Sequence, residues 1–216
     1  NLEFLRKFRA VLAPYGAAAV GEVGDSERGL QIMAEYTSGG DKVQMCYPFE
    51  LLQPARVTAA ELKATFDLLA AEAPDAWPCW SYTNHDTVRH ITRWGLDDRA
   101  VRTYLMMILS LRGSVCLYQG EELGLPEAEI AFEELQDPYG IEFWPEFKGR
   151  DGARTPMVWQ TDNGQGGFST AAKSWLPPVL LRKASMASRW ASKLASTALS
   201  PVRSRPVGRA SVSGFT

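Results

Sequence analysis

Four short apolar segments, separated by amphipathic helical patterns, constrain the fold of this chain more than any other feature. The segments lie at residues 16–24, 42–52, 76–83 and 114–120. Strands that alternate with helices in this way form βαβ units and hence a parallel sheet. Because the segments are apolar almost throughout, both faces of the sheet are expected to be covered. The predicted fold class is α/β.

The helical patterns carry their own start signals. Helices are predicted over residues 2–13, 27–36, 58–73 and 98–112. Thr58 followed by Glu61 is the pattern of a capping box, in which each side chain binds the backbone amide of the other residue. Asp97 or Asp98 is expected to cap the last of these helices, predicted over residues 98–112.

Polar or charged side chains follow every predicted strand. They are Glu22, Glu50, His85 with Asp86, and Gln119 with Glu121. In parallel α/β folds the chemistry lies at the carboxyl ends of the strands, where such side chains meet. Carboxylates from separate strands can then act as general acid, general base, nucleophile or stabiliser of a cation.

Each candidate side chain also has a structural explanation. Glu22 could be a loop carboxylate in solvent, and His85 could be a buried histidine with satisfied hydrogen bonds. Asp86 could cap a helix or form a salt bridge with Arg89. The residues alone leave these alternatives open.

A long irregular segment, rich in aromatic and charged residues, follows the fourth strand. Long loops after barrel strands usually build the binding site. Arg150 and Arg154 lie in it and are expected to pair with carboxylates that line a pocket. The alternative is pairing with Asp151 or Glu146 at the surface.

Several classes of protein are disfavoured by composition. No run of eighteen apolar residues is present, so no membrane partner is expected. The chain contains neither G-x-G-x-x-G nor G-x-x-x-x-G-K, and only two histidines, so no cofactor and no metal are predicted. The three cysteines each lie in an apolar run and are expected to be buried thiols of a cytoplasmic protein.

Several segments together resemble one family. "SYTNHDTVR", "VGEVGD", "LYQGEELGL" and "QDPYGIEFWPEFKGRDGARTPMVW" are similar to segments of the α-amylase superfamily, glycoside hydrolase family 13, in its α-glucosidase and oligo-1,6-glucosidase branch. The resemblance covers residues 1–175. It implies a partial (β/α)8 TIM barrel, namely strands 5 to 8 with their helices, as the first domain.

The resemblance also implies roles for individual residues. Glu22 would be the general acid/base, and Asp86 would stabilise the oxocarbenium-like transition state of a retaining α-glucosidase. His85, Asn84 and Arg154 would bind the sugar. The substrate would be an α-glucoside or a malto- or isomalto-oligosaccharide, with no nucleic-acid partner.

The family nucleophile is an aspartate on a strand that comes before residue 1 of this chain. The 216-residue chain alone is therefore expected to lack glucosidase activity. The alternative is a non-catalytic barrel relative that binds carbohydrate or a partner protein. Retention of both Glu22 and Asp86 favours the enzyme.

The last part of the chain differs in charge from the rest. Residues 1–162 hold all 25 acidic and 15 of the 23 basic residues, a net charge of −10, whereas residues 163–216 carry +8. Residues 176–216 are predicted to be a disordered basic tail. A frameshift or gene-model error near residues 172–180 would explain it, and a nucleic-acid-binding tail is the alternative.

Overall fold

A computed structural model describes residues 1–25, 27–160 and 165–179. The helices are α1 (Leu2–Leu12), α2 (Gly29–Thr37), α3 (Ala59–Glu72), α4 (His90–Arg93), α5 (Asp98–Ser110) and α6 (Pro138–Glu142). The strands are β1 (Val20–Val23), β2 (Met45–Pro48), β3 (Cys79–Trp80) and β4 (Ser114–Val115). No helix in the described ranges is long and apolar enough to cross a membrane. Most of the predicted tail lies outside the described residues.

All four predicted strands are present, and they are parallel. β1 pairs with β2 so that Glu22 lies opposite Tyr47, and β3 pairs with β4. A parallel bridge between Cys46 and Pro78 joins β2 to β3. The strands thus form two parallel two-stranded ladders, joined by this one bridge, in chain order; consecutive parallel strands commonly lie side by side. They are shorter than predicted, since residues 49–51 form a 3₁₀ turn at the end of β2.

The close approach of β1 and β2 depends on a missing side chain. Gly21 lies opposite Cys46 in the ladder. A Cβ atom at Gly21 would lie 2.6 Å from Cys46 Sγ, which is closer than such atoms approach in folded proteins. Glycine thus allows the buried cysteine to fill the space beside the strand that carries Glu22.

The predicted helix caps are confirmed. Thr58 Oγ1 accepts a hydrogen bond from the Glu61 amide at 3.2 Å, and the Glu61 carboxylate accepts one from the Thr58 amide at 2.7 Å. At α5 it is Asp97, not Asp98, that caps the helix, by accepting from the Ala100 amide at 2.8 Å. These bonds satisfy amides that have no partner within the helix.

The main core lies between the strands and helices α2, α3 and α5. Its aromatic centre includes Tyr82, which contacts Trp94 and Tyr104 edge-to-face at 5.3 and 5.8 Å between ring centroids. A smaller core beneath the long loop joins Ile130, Leu135 and Leu176.

Helices α1 and α5 present apolar side chains to solvent. On α1 no residue is buried, and Phe4 and Val11 are 68% and 65% exposed. On α5 Met106 and Leu109 are 72% and 62% exposed. Such contiguous apolar exposure is typical of surfaces that another polypeptide segment covers.

The cysteines do not all match the prediction. Cys46 and Cys79 are buried free thiols, whereas Cys116 is free and exposed. Burial raises the pKa of Cys46 and of Cys79 to about 11, so both stay protonated near neutral pH. The prediction of burial is wrong for Cys116, which follows the short strand β4.

Candidate active site

Asn84 connects the Glu22 carboxylate to the backbone of Asp86, two residues that the sequence singles out. Its Nδ2 donates to Glu22 Oε1 at 3.3 Å, and its Oδ1 accepts from the Asp86 amide at 3.0 Å. Asn84 is only 7% exposed. Glu22 is part of β1 and Asn84 follows β3, so the carboxyl ends of separate strands do meet here. The geometry shows Asn84 as a bridge within the protein; its predicted sugar-binding role stays a prediction.

Tyr47 also belongs to this group, although the sequence did not mark it. It faces Glu22 across the β1–β2 ladder. Burial and, after it, the neighbouring Glu22 carboxylate raise the pKa of Tyr47 well above its usual value, so the hydroxyl stays protonated near neutral pH. The pairing register of β2 with β1, which places Tyr47 opposite Glu22, was the signal that could have identified Tyr47.

Asp86 is paired with two arginines from the long loop. Arg154 Nη2 and Arg150 Nη1 both donate to its Oδ1, at 2.8 and 3.0 Å. Arg150 is held in turn by the buried carboxylate of Asp137, a second residue that sequence reasoning missed. Both arginines therefore pair with Asp86 rather than with Asp151 or Glu146; that Asp86 lines a sugar-binding pocket stays a prediction.

Arg89 does not form a salt bridge with Asp86, which would have been a purely structural explanation for that carboxylate. Its side chain is buried, and its Nη1 and Nη2 donate to the backbone carbonyls of Gln119 and Ala153. It therefore ties the loop after β4, and the loop that carries Arg154, to the segment containing Asp86.

The two histidines occupy opposite environments. The His85 side chain is 58% exposed, and its Nε2 lies 3.7 Å from Asp86 Oδ1. Its carbonyl accepts from Arg154 Nε at 2.8 Å. His90 is fully buried, with Nδ1 3.0 Å from Glu121 Oε1. The buried structural histidine is thus His90, and His85 is accessible to a ligand.

Glu50 faces a different space from Glu22 and Asp86. It lines a cavity of about 340 Å³ together with Asp25 and Glu61. Burial raises the pKa of Glu50, and its Oε2 has no hydrogen-bond partner among the residues that the structure describes. In the described part of the chain no set of three or more His, Cys, Asp or Glu side chains is arranged to hold a metal ion.

The parallel α/β scaffold carries carboxylates at the carboxyl ends of its strands, as enzymes with a (β/α)8 barrel do. Comparison with known proteins identifies the family. The family model described as "Alpha amylase, catalytic domain" matches residues 1–189. The chain therefore belongs to the α-amylase family, glycoside hydrolase family 13.

Individual relatives place it in the α-glucosidase branch. A probable alpha-glucosidase of Rhizobium meliloti (strain 1021) is 57% identical over 182 residues, covering 82% of this chain and 33% of the relative. An oligo-1,6-glucosidase of Heyndrickxia coagulans is 28% identical over 206 residues, covering 78% and 36%. The crystal structure of the alpha-glucosyl transfer enzyme XgtA is 46% identical with a TM-score of 0.75, covering 93% of this chain and 39% of XgtA.

The chain spans roughly a third of the length of these curated relatives. Its resemblance to the α-glucosidase branch is confirmed, and the fold is consistent with part of a TIM barrel.

Proposed function

We propose that Glu22, Asn84 and Asp86 form the acid/base and stabilising side of a retaining α-glucosidase site. The substrate class is α-linked gluco-oligosaccharides and small α-glucosides, and β1 to β4 correspond to barrel strands 5 to 8. The observation that carries the proposal is the bridge of Asn84 between Glu22 and Asp86. Domain limits at residues 175 and 176 belong to the same proposal.

Glu22 acts first as an acid and then as a base. As an acid, its carboxyl transfers a proton to the glycosidic oxygen while the bond from that oxygen to the anomeric carbon breaks. The resulting carboxylate then takes a proton from the water that attacks the glucosyl-enzyme intermediate. The amide of Asn84 holds the same carboxylate in place for both steps, and Tyr47 lies opposite Glu22 in the β1–β2 ladder.

Asp86 stabilises the positive charge that develops on the sugar ring. Its side chain is 44% exposed and Oδ1 is occupied by two guanidinium groups. His85, whose ring is open to solvent beside it, binds the same glucose unit. Arg154 recognises the non-reducing end by exchanging part of its contact with Asp86 for sugar hydroxyls.

The nucleophile of the double displacement is not among these groups. In the family pattern it belongs to a strand that precedes β1. The 216 residues alone are therefore expected to leave p-nitrophenyl α-glucoside unhydrolysed. Supplying the N-terminal part of the barrel is expected to produce turnover.

Two other functions are weaker candidates. Transfer of glucose to an acceptor other than water is suggested by the 46% identity to XgtA, an alpha-glucosyl transfer enzyme. A non-catalytic carbohydrate-binding relative would have no need of an acid/base carboxylate held by the Asn84 amide.

The test uses a completed barrel, defined as residues 1–179 joined behind the N-terminal part of the Rhizobium meliloti relative. Glu22→Ala in this enzyme is expected to lower kcat for maltose by about 10²- to 10⁴-fold, the usual worth of general acid–base catalysis. Azide should restore turnover of an activated α-glucoside and give an α-glucosyl azide. Glu35→Ala, on the exposed side of α2, is the matched control.

Each outcome separates the candidates. Azide rescue of Glu22→Ala, absent in Asp86→Asn, supports the assigned roles. Full activity of Glu22→Ala overturns the acid/base assignment. A completed barrel that binds maltose but never cleaves it identifies a binding protein, and glucosylated acceptors among the products identify a transferase.

A further inference from the structure

The side chain of Asp137 is fully buried although it carries a charge. Its two oxygens accept from Arg150 Nε and Nη2, both at 2.9 Å, and from the Arg150 amide at 2.8 Å. These bonds hold the pKa of Asp137 far below its usual range, so it is ionised. A buried carboxylate and a forked guanidinium form the most directional of protein ion pairs.

The loop around Asp137 is built to hold it. Asp151 Oδ2 accepts from the amides of Gln136 and Asp137, at 2.6 and 2.8 Å. Gly149 has φ = +79°, and a Cβ there would lie 2.8 Å from Gly140 Cα and 3.1 Å from Asp137 Oδ2. The backbone on both sides of the ion pair is therefore fixed before any ligand arrives.

Arg150 is fixed on its other faces too. Its guanidinium lies 5.2 Å from the centre of the Tyr139 ring. The remaining nitrogen, Nη1, reaches Asp86 Oδ1 at 3.0 Å. Arg154 reaches the same oxygen, but its other side-chain hydrogen bond goes to the exposed His85 backbone rather than to a buried carboxylate.

We propose that Asp137 is a positioning residue of the glucose site, which acts on Asp86 through Arg150. This inference rests on the proposed function, because it gives Asp86 the stabilising role. Arg150 stays on Asp86 Oδ1 with or without sugar, whereas Arg154 is the guanidinium that exchanges. Asp86 is thereby held at one oxygen, and the other is left to meet the substrate.

The first test needs no turnover and uses the 216-residue chain. Guanidinium ¹⁵N–¹H NMR signals of Arg150, assigned from their loss in Arg150→Lys, report which of its nitrogens are hydrogen-bonded. Asp86→Asn is expected to leave the Nε signal unchanged, because Asp137 anchors the side chain. Asp137→Asn is expected to remove both the Nε signal and the slowly rotating Nη1 signal.

Glu129→Gln is the matched control, since Glu129 pairs with Lys148 at 2.8 Å on the same loop but is exposed. It should change neither Arg150 signal. Asp137→Glu keeps the charge but displaces it by one methylene, and it should release Arg150 as Asp137→Asn does. An Arg150 that stays on Asp86 in both Asp137 variants overturns the proposal, as does failure of both variants to fold.

The second test asks whether the effect passes through Arg150. In the completed barrel, Asp137→Asn and Arg150→Met should each lower kcat about 10- to 100-fold, the worth of one charged hydrogen bond, with KM nearly unchanged. The double variant should be no slower than Arg150→Met. Additive losses overturn the proposal. Inactivity of the unsubstituted barrel counts against the proposed function only, because the NMR test is independent of it.

Discussion

Asn84 donates a hydrogen bond to Glu22 across 62 residues of sequence, at 3.3 Å. The same amide group accepts from the Asp86 backbone at 3.0 Å. One side chain therefore ties the Glu22 carboxylate to the backbone of the turn that carries Asp86.

Replacing Asn84 by Ala is expected to disorganise both carboxylates. One buried donor–acceptor pair of this kind is worth about 1–3 kcal/mol, which corresponds to roughly 5- to 150-fold in kcat/KM of the completed barrel. Gln53→Ala is a suitable control, because the Gln53 amide donates to the Phe49 carbonyl outside the site. Equal losses in the two variants would remove Asn84 from the site.

Replacing Arg89 by Met should destabilise the fold rather than change the chemistry directly. The Gln119 carbonyl would lose its partner, whereas the Ala153 carbonyl would keep the hydrogen bond from the Tyr118 hydroxyl at 3.1 Å. One buried group left unpaired costs about 1–3 kcal/mol. Chemical denaturation of the chain measures the loss. Arg99→Met, at an exposed position of α5, should be nearly neutral. An equally small loss for Arg89→Met would contradict a role of Arg89 in holding the two loops together.

The capping box of α3 gives a local stability prediction. Thr58→Ala removes the acceptor for the Glu61 amide and should lower the free energy of unfolding by about 1 kcal/mol. Thr65→Ala, within the same helix, loses only a bond to the Glu61 carbonyl and should be neutral or slightly stabilising. If Thr65→Ala proves the more damaging, the cap does not control the start of α3.

Glu50 predicts a dependence of stability on pH. Burial raises the pKa of Glu50 above its usual 4.5, so the folded state favours the protonated carboxyl. Its contribution is fully present below that value and is lost as the pH rises through the folded-state pKa. As the pH rises above 4.5, the wild-type chain should therefore lose stability relative to Glu50→Gln.

Urea titrations at each pH would show this as a widening difference in the free energy of unfolding. Glu142→Gln, at an exposed position of α6, is the control and should show a constant difference. A constant difference for Glu50→Gln as well would mean that the carboxyl is solvated in the folded state.

The apolar faces of α1 and α5 predict self-association of the chain. Phe4, Val11, Met106 and Leu109 are all more than 60% exposed, and exposed surfaces of this kind promote association. Sedimentation of the 216-residue chain should show dimers or larger species, and Phe4→Glu with Val11→Lys should reduce them. A monomer that melts cooperatively would contradict this prediction.

The local features of the fold could be read from the sequence. The capping box at Thr58 and the cap at Asp97 depend on residues within three positions of each other, so they are visible without tertiary information. The parallel arrangement followed from the alternation of strands and helices. The strand lengths could not be predicted, because β2 ends in a 3₁₀ turn and the chain after β3 turns to carry Asn84 and Asp86.

The partners of Asp86 show why the side-chain contacts of the candidate site could not be predicted from the sequence. Arg89 is three residues away in sequence, yet it points into the core, whereas Arg150 and Arg154 reach Asp86 from across the fold. Tyr47 needed the register of β2, and Asp137 looked like any acidic residue of a turn. Closeness in sequence does not predict side-chain contacts where a long loop folds back onto the ends of the strands.

Gly21 and Cys46 together restrict how this site can evolve. An alanine before Glu22 would place its Cβ 2.6 Å from the Cys46 sulfur, so the cost of that substitution depends on the residue at position 46. A smaller side chain there would remove the contact. The two positions are therefore expected to show epistasis, in which the order of substitution decides how costly the intermediate is.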